Sequence, residues 1–102
     1  MSTTTDGNAF TYEKLVLSGL AHPTRVRILM VFGEDLNERW SASQMTTELN
    51  HRRRVGEAPF TLGAVAYHFR TLAQSRWLVQ AGKPKRVRGA FETFYKVDGR
   101  RV

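Results

Sequence analysis

The chain contains no cysteine, which removes a disulfide framework, a thiolate metal site and a cysteine nucleophile together and is compatible with a reducing cytosol. Long apolar runs are missing as well. No stretch approaches the roughly 20 apolar residues of a membrane span, and the opening "MSTTTDGNAF" has no basic segment leading into an apolar one. These absences lead us to expect a soluble cytoplasmic protein with no membrane contact and no redox chemistry. Acidic side chains are also in short supply, 9 Asp+Glu against 16 Lys+Arg, for a formal charge of +7. What remains is 102 residues with 41% hydrophobic content, the size of one domain with a core of its own.

The excess charge is not evenly spread. Residues 1–51 hold 4 basic and 6 acidic side chains, whereas residues 52–102 hold 12 basic and 3 acidic. An asymmetry of this kind suggests a second half that faces a polyanion, most often nucleic acid.

Catalytic constellations are scarce. "GKPK" superficially looks like a phosphate-binding loop, but that loop needs a glycine five residues before its Gly-Lys pair and a Ser/Thr after it. Here those places hold Trp77 and Pro84. His22, His51 and His68 are far apart, with no i, i+4 pair and no acidic cluster nearby, so no metal site is expected. Glu34, Asp35 and Glu38 fall together in a polar segment that reads as a solvated helix end. The expectation is a protein without catalysis, cofactor or metal.

Residues 1–10 are rich in Ser, Thr, Gly and Asn and read as a tail, with one domain expected over 11–98 and a short tail over 99–102. Tyr12, Leu15, Val16 and Leu20 follow helical spacing and predict a first helix. Pro23 suits the first position of a second, running to about Gly33 with Val26, Ile28, Leu29 and Phe32 on its buried side. Arg39 and Trp40 suggest a short strand, and Ser41 with Gln44 forms a capping-box pattern ahead of a third helix carrying Met45 and Leu49. "HRRRVGEAPF" then reads as a loop. Thr61 is a plausible N-cap for a fourth helix reaching Gln74 or Ser75, with Leu62, Val65, Phe69 and Leu72 along its oily side. Beyond it the period drops to two. Trp77–Val79 and Phe91–Val97 are strand-prone and enclose the basic loop "AGKPKRVRGA".

The predicted fold is therefore mainly α with a small β-hairpin, in the order of a winged helix-turn-helix: a second helix of the pair entering a major groove and a hairpin tip meeting backbone or minor groove. Lys83, Lys85, Arg86 and Arg88 crowd into that tip and repel one another unless a counter-charge such as phosphate comes near.

"LAHPTRVRIL" (20–29), "SASQMTTEL" (41–49), "VAYHFRTL" (65–72) and "RGAFETFYKV" (88–97) together resemble the successive hallmarks of ArsR-type winged-helix transcriptional regulators, in their metal-independent branch. The resemblance covers about residues 12–97. It implies a regulator of double-stranded DNA, commonly a repressor and usually dimeric. Position by position, it implies that Thr61, Gly63, Ala64, Tyr67 and His68 line the groove-facing side of a recognition helix and that Lys85, Arg86 and Arg88 form a wing; helical spacing adds Thr71 to the first set and the crowding of charge adds Lys83 to the second. Two roles stay open in the sequence. Arg25 could contact phosphate or pair with an acidic residue, and His68 could contact a base or bond internally.

Three departures from the family pattern stand out. Leu49 to Leu62 spans thirteen positions where relatives have a tight turn, so Arg52, Arg53 and Arg54 either extend the third helix or form an extra phosphate-binding loop. Cys or clustered His ligands are absent, which argues against metal-regulated release. The chain stops five residues after Val97, leaving Tyr12, Leu15, Val16 and Leu20 as the candidate dimer interface. Two other uses of the same fold remain: a protein-interaction module whose wing meets an acidic partner, and an RNA-binding winged helix. Ala64 and Ala66 leave few side chains on the fourth helix for bidentate base contacts, so modest direct readout is expected.

Overall fold

Pro23 sets where the first described helix begins. A computed structural model of the protein describes residues 22–101. The predicted first helix, the dimer interface placed on it and the tail over 1–10 lie outside those residues. Helix α1 spans Pro23–Glu34. Its N-cap is His22, whose Nδ1 accepts a hydrogen bond from the Thr24 amide at 3.1 Å, while Pro23 occupies a position where the missing N–H is not needed.

After a polar turn, strand β1 (Trp40–Ser41) leads directly into α2 (Ala42–His51). The predicted capping box forms in full: the Gln44 amide donates to Ser41 Oγ at 3.1 Å and the Ser41 amide donates to Gln44 Oε1 at 3.2 Å. Helix α3 (Leu62–Gln74) starts at Thr61, whose hydroxyl accepts from the Ala64 amide at 3.2 Å. It ends with Arg76 in the left-handed region, φ 64°. Trp77 N–H reaches back to Leu72 C=O at 2.8 Å and Arg76 N–H to Ala73 C=O at 3.1 Å, a paired closure that satisfies two orphan carbonyls and turns the chain into the sheet.

Strands β2 (Leu78–Gln80) and β5 (Phe94–Val97) pair antiparallel, Leu78 opposite Val97 and Gln80 opposite Tyr95. β1 adds to the other side of β5, giving the order β1-β5-β2. Among the described residues, three helices pack on one small antiparallel sheet. Ile28, Leu29, Val31 and Phe32 of α1, Met45 and Leu49 of α2, Val65, Phe69 and Leu72 of α3, and Trp77, Leu78 and Val97 at the sheet form the buried core. Each such side chain contributes roughly 1.5–3 kcal/mol relative to exposure.

Two expectations need correction. Leu62 was expected on the oily side of α3, yet it is 53% exposed. As the first residue of the helix it lines an open cleft together with Ala66, Phe69 and Phe91. The basic segment between the outer strands was expected to be one long loop, but it folds into a second, two-stranded ribbon of β3 (Lys85–Val87) and β4 (Ala90–Glu92). Arg88 at φ 50° and Gly89 at φ 83° link them, the two consecutive left-handed residues that a tight hairpin matched to strand twist requires.

Candidate nucleic-acid interface

Helix α3 presents two opposed sides. Val65, His68, Phe69 and Leu72 are buried, while Thr61, Leu62, Gly63, Ala64, Tyr67 and Arg70 are exposed. Tyr67 keeps 54% of its surface open. A Cβ placed on Gly63 would meet nothing within 4 Å, so the first turn of the helix is bare and approachable. Thr71 is half-buried and sits at the edge of this surface.

His68 does not belong to the outward side, which answers the question its position left open. It is 6% exposed, and its Nδ1 accepts a hydrogen bond from Arg25 Nε at 3.0 Å. Its ring lies 4.6 Å from that of His22. Burial first, then the nearby His22 and the Arg25 guanidinium, lower its pKa to about 4. The imidazole is therefore neutral near pH 7, and it joins the start of α1 to the middle of α3. Arg25 is engaged in the same contact.

The connection from α2 to α3 is neither a helical extension nor a slack loop. Asn50 closes its ends: Nδ2 donates to Phe60 C=O at 3.0 Å and Oδ1 accepts from the Phe60 amide at 2.8 Å. Inside that closure, Glu57 accepts from the Arg54 amide at 2.7 Å and pairs with Arg27 of α1, whose guanidinium also lies 5.4 Å from the Phe60 ring centroid. These donors hold the Glu57 carboxyl below its ordinary pKa, the Arg54 amide contributing most.

Arg52 was placed with Arg53 and Arg54 as a phosphate-contacting residue; in the structure its guanidinium is engaged by two carboxylates. Its guanidinium donates to both oxygens of Glu34, at 2.8 Å for Oε1, and to Glu48 Oε2 at 2.7 Å. Hydrogen bonding to Glu34 and then to Glu48 raises its pKa further, and the same contact lowers that of Glu34. Both carboxylates would have to be displaced before a phosphate could take this fork. Arg53 and Arg54 are exposed, with no side-chain ion pair among the described residues.

On the ribbon Lys85, Arg86 and Arg88, and just before it Lys83, are all exposed, and none has an ion-pair partner among the described residues. Arg86 is directly opposite Phe91, with its guanidinium carbon 5.1 Å from the ring centroid. Arg88 occupies a left-handed turn position that favours Asn or Gly, so the fold keeps a cation at the ribbon tip at a conformational cost.

One exposed cation on α3 had not been singled out. Arg70 lies three residues after Tyr67, on the same outward side of the helix; that i, i+3 spacing was the available signal. Its side lines a cleft that reaches Phe91 of the ribbon. No group of three or more potential metal ligands occurs among the described residues, and no described helix is long and apolar enough to cross a membrane. Comparison with protein-family models, with curated proteins and with solved structures returns no match.

Proposed function

We propose that this chain is a winged helix-turn-helix protein that binds double-stranded DNA and regulates transcription, in the manner of an ArsR-type repressor acting as a dimer. In this reading α2 and α3 form the helix-turn-helix, with α3 in the major groove through Thr61, Gly63, Ala64 and Tyr67 and with Thr71 at the edge. The β3–β4 ribbon is the wing, holding backbone or minor groove through Lys83, Lys85, Arg86 and Arg88. Arg53 and Arg54 add phosphate contacts, while Arg52 and His68 serve the fold. No catalytic group or cofactor takes part.

The observation that carries this reading is the ribbon tip. Cations without ion-pair partners surround a turn in which Arg88 stands at φ 50°. Non-glycine residues in that region cost on the order of 1–2 kcal/mol, as Arg76 does at the end of α3, so what calls for a partner at the tip is the crowding of like charges and not the backbone. A duplex supplies the missing counter-charge on both sides of a groove.

Selection of bound duplexes from a random pool tests the proposal. Enrichment of a palindromic consensus would support sequence-specific binding by a dimer. Failure to enrich any duplex, at low as well as moderate salt, would overturn it.

A further inference from the structure

We propose, on the duplex-binding reading above, that the cleft between α3 and the ribbon is a channel for one sugar–phosphate strand of the duplex. In it Arg70 meets phosphate from the helix side, Arg86 meets phosphate from the ribbon side, and Leu62, Ala66 and Phe91 pack on the deoxyribose between. A major groove and the minor groove next to it are separated by one sugar–phosphate strand, so a protein with one element in each must straddle that strand. The cleft is where such a strand has to pass.

The chemistry of the walls fits this occupant. Leu62, Ala66, Phe69, Phe91 and Tyr95 give the cleft a mainly apolar lining, interrupted by Ser41, Ser43 and Thr93, with Arg70 at its helix side; Arg86 stands outside the lining and reaches it through Phe91. Leu62 and Phe91 are 53% and 68% exposed, large apolar surfaces left open beside cations. Arg70 is exposed and has no ion pair or hydrogen bond through its side chain among the described residues. Arg86 is held against Phe91, which limits the rotamer freedom it would lose on meeting a phosphate. Glu92, the one carboxylate in the lining, is the cross-strand partner of Lys85. A DNA strand alternates anionic phosphates with apolar sugar carbons, matching cations set at the margins of an oily floor. An acidic peptide would satisfy the guanidiniums but gives no reason for the floor.

Affinity of the full chain for a random-sequence duplex, measured across a salt series, tests the channel with Arg70→Gln, Arg70→Lys, Phe91→Ala and a control, Lys96→Gln on β5. Arg70→Gln is expected to weaken binding roughly three- to tenfold and to reduce the salt slope by about one unit, the signature of a lost phosphate contact. Arg70→Lys restores most of the slope. Phe91→Ala weakens binding to a similar extent with the slope unchanged, because no charge is removed. A methylphosphonate scan on one duplex of defined sequence enriched from the random pool, bound in a single register, adds a readout that a folding defect would not mimic: the penalty at one neutralised phosphate should vanish in Arg70→Gln. If Arg70→Gln behaves like Lys96→Gln and no phosphate loses its penalty, the channel is overturned while duplex binding stands. If the wild-type chain binds no duplex, the duplex reading fails and the channel with it. Loss of acidic-peptide binding in Arg70→Gln with duplex affinity intact would likewise overturn the channel.

Discussion

Arg25 Nε donates to His68 Nδ1 across 3.0 Å, joining the start of α1 to the middle of α3. The bond requires an unprotonated Nδ1, and burial together with His22 and Arg25 brings the His68 pKa down to about 4. Tyr67, whose ring stands 5.4 Å away edge-on, adds no opposite charge.

Stability should therefore fall with acid earlier than carboxylates alone would cause. Between the ordinary histidine value near 6.5 and about 4, the unfolded chain takes up a proton that the folded chain refuses. The contribution of neutral His68 is whole above the upper value and is lost as pH falls through the lower one. Urea midpoints at pH 7.5 and 4.5 for wild type and His68→Gln provide the measurement. Wild type should lose on the order of 2 kcal/mol more than the variant over that interval. Equal losses would place the histidine in contact with solvent.

Asn50 is the closure of the connection into α3, through two bonds to the Phe60 backbone. Asn50→Ala leaves both Phe60 groups without these partners and should cost about 1–3 kcal/mol in chemical denaturation. Hydrogen exchange should rise at the Phe60 amide and in the first turn of α3. A variant with unchanged exchange there would show that Arg27 and Glu57 hold the loop unaided.

The three consecutive arginines should separate into two classes. Arg52→Gln removes the contacts to Glu34 and Glu48; because these side chains keep 34% to 57% of their surface open to solvent, the expected loss is small, about 0–1 kcal/mol, with little effect on random-duplex binding. Arg53→Gln and Arg54→Gln should leave the melting temperature unchanged and each lower the salt slope by about one unit. The reverse pattern would return Arg52 to the DNA surface.

Tyr67 and Arg88 test specificity and the wing separately. Tyr67→Ala should change preference among duplex sequences more than affinity for random duplex, as read by competition with unrelated sequences. Equal losses on all duplexes would remove α3 from base contact. Arg88→Asn relieves a left-handed arginine and should stabilise the fold by up to about 1 kcal/mol while weakening duplex binding. A destabilised variant with full affinity would mean that the tip arginine serves the turn.

Local rules made much of the framework readable in advance. The Ser41–Gln44 box, the Thr61 cap and Pro23 act within three or four residues, and all three appear where expected. His68 carried a partial signal, since it sits between Val65 and Leu72 at helical spacing. Its choice between base and core depended on Arg25, forty-three positions away. Arg52 is similar: Glu48 at i−4 was visible, but Glu34 arrives only when α1 packs beside the end of α2. The β3–β4 ribbon was hidden because its turn uses Arg88-Gly89 in place of the usual Asn-Gly, and because charge on Lys85 and Arg86 masked the strand pattern. Charge asymmetry pointed to the basic surface from the start, whereas the cleft beside Arg70 required the ribbon to be seen folded.

The central claim is that the ribbon meets phosphate. Affinity for a random-sequence duplex should be measured from low to moderate salt for the wild-type chain and for a variant combining Lys83→Gln, Lys85→Gln, Arg86→Gln and Arg88→Asn. The account predicts wild-type binding whose logarithm falls linearly with the logarithm of salt, and a variant whose slope is flatter by about three and a half units for the four lost contacts. A wild-type chain that binds no duplex at low salt, or a variant with the wild-type slope, would contradict it.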